Sequence, residues 1–197
     1  MTIATYLSGT RVSIRALDTE DAQHAGVWYP AQFGTNASRG EAILKAEHES
    51  AGRERRLGVV LTESGQLVGG LKLHLKGMHA DAGVTISPMR TDADDLRADV
   101  LRVVIPWLRD EAEYTTITIE VAADWPLMIA AAEELGMARV VRLRQWLTRP
   151  GGRVDMYYYQ ALNPFWEKAA SLAAPTAAER ARLSRAMTQG GTTDVPA

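Results

Sequence analysis

The sequence predicts an α/β (α+β) fold with six to seven strands and about four helices, and three observations carry that prediction. Short runs alternate apolar and polar residues with period two, as in Arg11–Leu17, Leu71–His74, Ala82–Ser87 and Thr115–Val121, which is the pattern of half-buried strands. Between Gly65 and Asp110 the period changes. After a polar elbow at Pro88–Asp94, the apolar residues Leu96, Val100, Val103, Val104 and Trp107 fall at helical spacing. Near the end, Arg149-Pro150-Gly151-Gly152-Arg153 separates two further apolar runs, a strong turn signal.

Taken in order, residues 1–9 lack periodicity and read as an N-terminal arm. Arg11–Leu17 is the first strand. Asp18-Thr19-Glu20-Asp21 offers a helix cap and early acids, and Pro30 keeps that helix short. Thr35–Glu49 reads as a second helix with Ala42, Ile43 and Ala46 on one side. Leu57–Thr62 and Leu67–Lys76 are strands joined through Glu63-Ser64-Gly65-Gln66. The helix from about Asp95 contains Pro106, which removes a donor and ends or kinks it. Asp124 is placed to cap the next helix, with Pro126 in its first turn and Gly136 ending it. Val140–Leu147 and Met156–Leu162 form a final hairpin. From Phe165 the chain turns Ala-rich: residues 167–197 read as an extension with a short helix opened by Thr176-Ala177-Ala178-Glu179 and a disordered end.

Composition narrows the function. The 197 residues are 46% hydrophobic and 23% charged with net charge −2, ordinary for a globular domain and without the positive charge of a dedicated DNA binder. There is no cysteine, which excludes disulfides, thiolate nucleophiles and Cys-type zinc sites. No Walker, Rossmann or Gly-x-Ser-x-Gly pattern occurs, and no His/Asp/Glu spacing points to a metal. No run is long and apolar enough for a membrane span, so a cytoplasmic protein without a membrane partner is expected.

A resemblance covers roughly residues 10–166. Gly69-Gly70, then Asp81-Ala82-Gly83-Val84-Thr85-Ile86-Ser87-Pro88, the elbow and its helix, Ile117–Met137 with Glu133-Glu134-Leu135-Gly136-Met137, and Asp155–Pro164 resemble the GCN5-related N-acetyltransferases. That resemblance implies a mixed, mostly antiparallel sheet in which two strands part around the donor's pantetheine arm. It implies acetyl-CoA or another acyl-CoA as co-substrate and an amine of a small molecule or peptide as acceptor. The donor contacts then fall on Ile86, Ser87, Met89, Arg90, Asp92, Asp94 and Trp125. Asp81 matches the place where some relatives carry a Glu base, with His79 and His74 close in sequence. Tyr158, facing away from Tyr157 and Tyr159, is a candidate proton donor. Trp28, Tyr29, Phe33 and His74 are candidates to line the acceptor pocket.

The elbow departs from the family. Asp92 and Asp94 occupy the places of two glycines that let backbone N–H groups approach a pyrophosphate. A carboxylate ~4 Å from a phosphate charge costs about 4 kcal/mol at an effective dielectric near 20. Ala132 stands where many relatives have a tyrosine. Three readings therefore stand open: acyl transfer from acyl-CoA; acyl transfer from a carrier protein or aminoacyl-tRNA, with Arg139, Arg142, Arg144, Arg149 and Arg153 as the contact; and a non-catalytic binding or dimerisation module. Under any of them the final hairpin is able to exchange or pair between subunits of a homodimer.

Overall fold

A computed structural model describes residues 5–29, 36–49, 54–77, 80–87 and 93–164. The chain divides after Asn163 into two units, and the first, Met1–Asn163, holds the whole sheet and the helices that cover it. Eight strands form that sheet: β1 (Thr5–Ser8), β2 (Val12–Ala16), β3 (Glu54–Leu61), β4 (Leu67–Lys76), β5 (Asp81–Ser87), β6 (Thr116–Ala122), β7 (Ala138–Arg149) and β8 (Gly152–Leu162). Their order is β1-β2-β3-β4-β5-β6-β8-β7. Among the described residues only β5 and β6 run parallel, as the expected mixed sheet requires.

The count exceeds six to seven because Thr5–Ser8, read as part of a loose arm, is a strand. It pairs with β2 through a register irregularity between Thr5 and Leu7. Four residues with a bulge cannot display a period-two pattern, so its pairing comes from the edge of β2.

Among the described residues four α-helices lie on the sheet: α1 (Ala25–Trp28), α2 (Ala37–Glu49), α3 (Asp94–Pro106) and α4 (Pro126–Glu134). A 3-10 turn, Glu20–His24, precedes α1. The Asp18 side chain accepts from the Glu20 and Asp21 amides at 2.9 and 3.1 Å. Asn36 caps α2 by accepting from the Arg39 amide at 2.9 Å. The buried side of α2 is Gly40 and Leu44, not the expected Ala42 and Ala46, which are exposed. Gly40 decides this: a Cβ there would meet Ala22 O at 2.7 Å and the Ala25 Cβ at 2.9 Å, so only glycine lets the helix lie this close.

Pro106 ends α3 as its chemistry demands. The chain continues as a single π-helical turn, Trp107–Glu111, with the Ala112 amide donating to Trp107 O at 2.9 Å. The main core lies between the sheet and α3–α4, around Leu101, Ile105, Ile117, Ile119 and Val121. A smaller core of Leu17, Ala22, Ala25, Trp28 and Leu44 lies under α1–α2. Gly70 fixes the second one, because a methyl group there would overlap the Trp28 carbonyl.

Candidate functional site

The site begins as a fault in the sheet. β5 and β6 pair from Asp81↔Thr116 to Val84↔Ile119 and no further, although β5 continues to Ser87 and β6 to Ala122. Each free segment is held on its outer side: β4 pairs β5 as far as Gly70↔Ser87, and β8 pairs β6 as far as Ala122↔Met156. Among the described residues, Thr85–Ser87 and Glu120–Ala122 therefore face each other across a fork with their inner edges unpaired. An extended amide-bearing chain could pair with such an edge.

At the crotch of the fork lies a cavity of about 130 Å³, lined by His74, Thr85, Thr118, Glu120 and Tyr158 together with Gly83, Val84 and Ile119. Strand alternation explains why these residues meet. Ile117, Ile119 and Val121 point into the helix-covered core, so Thr118 and Glu120 project from the other face. Register then places Tyr158 opposite Glu120 and His74 opposite Gly83. The Tyr158 hydroxyl donates to Glu120 Oε1 at 2.6 Å. That hydrogen bond, with burial and the carboxylate's charge, pushes the phenol up to about 12. Tyr159, on the core face, donates instead to Glu133 at 3.0 Å.

His74 stands next to a charged row on the same face. Its Nδ1 is 3.1 Å from Glu54 Oε1. Glu54 also meets Lys72 Nζ at 3.1 Å and Arg56 Nη2 at 3.0 Å. Burial, and next the charge of Lys72, push the imidazole below its usual value even though Glu54 pulls it up.

The other residues singled out from sequence are dispersed. Asp81 is exposed, four residues before Thr85 and thus about 13 Å along the strand. Ile86 and Ser87 are buried on the free part of β5. Trp28 belongs to the smaller core, its Nε1 donating to Asp21 O at 2.8 Å. Tyr29 is half-buried under the Arg56 guanidinium, 5.7 Å from its ring centroid. His79, Phe33, Met89, Arg90 and Asp92 lie outside the described residues.

Trp125 is fully buried, with the Arg97 guanidinium 3.8 Å and that of Arg149 5.5 Å from its ring centroid. It is the N-cap residue of α4 and gives that helix no side-chain cap. Asp124, expected to cap, is paired with Arg149 at 3.0 Å. The cap comes from Asp94, whose two oxygens accept from the Leu127 and Met128 amides at 2.7 and 3.0 Å.

Among the described residues, several charges near the elbow and on the last hairpin are committed to partners within the chain. Asp94 serves α4, and Asp95 pairs with Arg11 at 3.0 Å. Arg142 pairs with Asp155 at 2.6 Å and Arg139 stacks over Tyr157. Among the described residues there is no cluster of acids and histidines that could hold a metal, and no helix long and apolar enough to cross a membrane.

Sequence reasoning missed Glu120 and Glu54. The first left a signal: a glutamate in the middle of the β-branched run Ile117-Thr118-Ile119-Glu120-Val121 is a residue strands disfavour. Glu54 left none, since its partners Lys72 and His74 come from β4 by register.

No family model matches this sequence, and no curated protein does. Solved structures do. A protein of Sphaerobacter thermophilus assigned as an acetyltransferase is 36% identical, with 82% of this chain and 99% of that one covered and a TM-score of 0.62. The spermidine/spermine N-acetyltransferase of Vibrio cholerae matches at 18% identity over 81% of this chain and 96% of its own, TM-score 0.60. A Bacillus anthracis acetyltransferase of the GNAT family matches at 14% identity over 80% and 98%, TM-score 0.56. At these last two identities the likeness is one of fold.

Proposed function

The chain belongs to the GCN5-related N-acetyltransferase superfamily, and from that premise we propose that it moves an acyl group, in the first place acetyl, from acyl-CoA to the amine of a small molecule or peptide. The observation that carries the reading is the β5–β6 fork with a polar cavity at its base. Acyl-CoA would supply an activated thioester. The unpaired edges of Thr85–Ser87 and Glu120–Ala122 fit its pantetheine amides. In support of the reading, the Asp94 carboxylate is engaged by the α4 amides, which lessens the charge it presents at the elbow.

The chain's own residues then do three things. The Glu120 carboxylate, the one formal charge among the cavity residues apart from the titratable His74, attracts the incoming ammonium, and the Tyr158 hydroxyl holds that carboxylate in place. His74, nearer the cavity than Asp81, takes one proton from the ammonium so that its lone pair can attack the thioester carbonyl. The second proton lost by the nitrogen ends on the departing sulfur, and the imidazole passes its own to water. The hydrogen bond to Glu120 pushes the Tyr158 phenol up to about 12 and makes it a weaker acid than an ordinary tyrosine, so we assign Tyr158 to positioning. The fork and cavity bring nucleophile and thioester together, which is the larger part of such catalysis.

Two measurements test the reading. Acetyl-CoA at 100 times its dissociation constant is expected to stabilise the protein by about 2.7 kcal/mol, seen as a thermal shift. Thiol release with a panel of amines is expected to require His74 and to weaken in KM for the amine with Glu120→Gln. No shift at millimolar acetyl-CoA would overturn it.

A further inference from the structure

The charged row beside the cavity has a geometry that simple surface pairing does not need. β3 and β4 are in register with Glu54 opposite His74 and Arg56 opposite Lys72, so all four side chains share the face on which the cavity opens. Glu54 Oε1 meets both His74 Nδ1 and Lys72 Nζ at 3.1 Å, and Oε2 meets Arg56 Nη2 at 3.0 Å. Arg56 is held in turn by Glu47 of α2, which accepts from its amide at 2.7 Å and from Nη1 at 3.2 Å. A carboxylate acting on a histidine alone would both orient the ring and load it with a proton. Here the same carboxylate is shared with two permanent cations.

We propose that Glu54 is a positioning residue for His74: it accepts the Nδ1 proton, fixes the neutral imidazole in the Nδ1–H tautomer, and leaves the Nε2 lone pair free for the cavity, while Lys72 and Arg56 absorb the charge that would otherwise keep the ring protonated. The claim rests on the reading of His74 as the base of the acyl transfer. A neutral imidazole has one donor and one acceptor nitrogen, and a partner on one decides the role of the other. The charges around the ring agree. Burial would raise the Glu54 carboxyl, but Lys72, His74 and Arg56 hold it below its usual value, so it is an acceptor at neutral pH. The other charged or titratable groups near this face are Lys76 on the same strand, Asp81 on β5, Glu120 on β6 and Tyr158 on β8, with Tyr158 itself committed to Glu120.

The test uses the full chain and two variants, Glu54→Ala and Glu54→Gln, with His74→Gln to identify the imidazole signals. Nitrogen–proton correlation spectra of the ring report the tautomer directly and need no turnover. Wild type is expected as the Nδ1–H form. Glu54→Ala is expected to pass to the Nε2–H form, and its ring to titrate at lower pH, because Lys72 and Arg56 lose their counter-charge. Glu54→Gln keeps an acceptor oxygen and is expected to keep the tautomer while sharing the lower titration.

In steady-state kinetics Glu54→Ala is expected to lower kcat at least about tenfold, with KM for acetyl-CoA unchanged. The acid limb of kcat/KM is expected to move to lower pH in both variants, and Glu54→Gln to recover most of kcat. An Nε2–H ring in wild type, or an unchanged tautomer and acid limb in Glu54→Ala, overturns the proposal. If no acyl-CoA and amine pair turns over, the transferase reading fails while the spectra still decide the tautomer.

Discussion

Replacing Asp94 by alanine separates two meanings of an acidic elbow. In the structure its carboxylate takes the first-turn amides of α4, at 2.7 Å from Leu127 N and 3.0 Å from Met128 N. Removing a side-chain cap of this kind costs about 1 kcal/mol and up to about 2. Met128 is buried, so its amide cannot turn to water, and a buried unpaired donor adds about 1–3 kcal/mol. The expected loss is about 3 kcal/mol. With a urea m-value of about 2 kcal/mol/M the unfolding midpoint falls by about 1.5 M at constant m. Asp94→Asn, which keeps one acceptor oxygen, is expected to lose about half as much. The second half of the assay is acetyl-CoA affinity. Were Asp94 opposed to a pyrophosphate, neutralising it would relieve about 4 kcal/mol and tighten binding about a thousandfold. A carboxylate occupied by α4 predicts a change within a few-fold for Asp94→Asn. A midpoint shift below about 0.5 M for the alanine variant, or a large gain in affinity, would refute the assignment.

Two further outcomes are set by local geometry. Gly70→Ala drives a methyl group into the Trp28 carbonyl, a backbone atom that cannot rotate away, and is expected to cost about 1–3 kcal/mol. Thermal unfolding should show a drop of several degrees, and an unchanged melting temperature would mean that α1 is not seated on β4. Asp21 is buried against Arg15, whose Nη1 and Nη2 donate at 2.6 and 2.8 Å. Burial would raise its carboxyl, but the Arg15 hydrogen bonds, the Asp18 amide and the charges of Arg15 and His24 hold it below the usual value. A depressed folded-state value stabilises above the unfolded carboxyl's pKa, near 3.9, and that stability is lost as pH falls through the folded one. The stability gap between wild type and Asp21→Asn is therefore expected to be constant near neutrality and to close below about pH 4, as urea titrations at stepped pH would show.

The strands and helices of this chain were legible wherever the pattern was local and long enough. Leu71–His74 and Thr115–Val121 announced their two faces by alternation, and Pro126 and Gly136 bracketed α4 where the structure ends it, Gly136 at φ +77°. What was not legible depends on partners distant in sequence. The α4 cap was expected from Asp124, one residue before the N-cap position, yet Asp124 is drawn to Arg149 and the cap arrives from Asp94, more than thirty residues earlier. The cavity is a product of register: Glu120 meets Tyr158 because β8, not β7, inserts beside β6. Glu54 meets His74 only through the β3–β4 pairing. Sequence distinguishes the face a side chain takes, and leaves open which strand lies next to it.

The fork itself is fixed by the same logic of faces. A frayed strand end would close by sliding one residue until the missing hydrogen bonds formed. Sliding β6 against β5 by one position would turn Ile119 and Val121, both buried on the helix side, towards the polar face, and bring Thr118 and Glu120 into the core. Burying that glutamate without a cation is far costlier than the few backbone bonds regained. β5 is also tied to β4 through Ser87, and β6 to β8 through Ala122, so neither free segment can bend inward without breaking a ladder on its other side. The opening is therefore held by the pairing on either side of it.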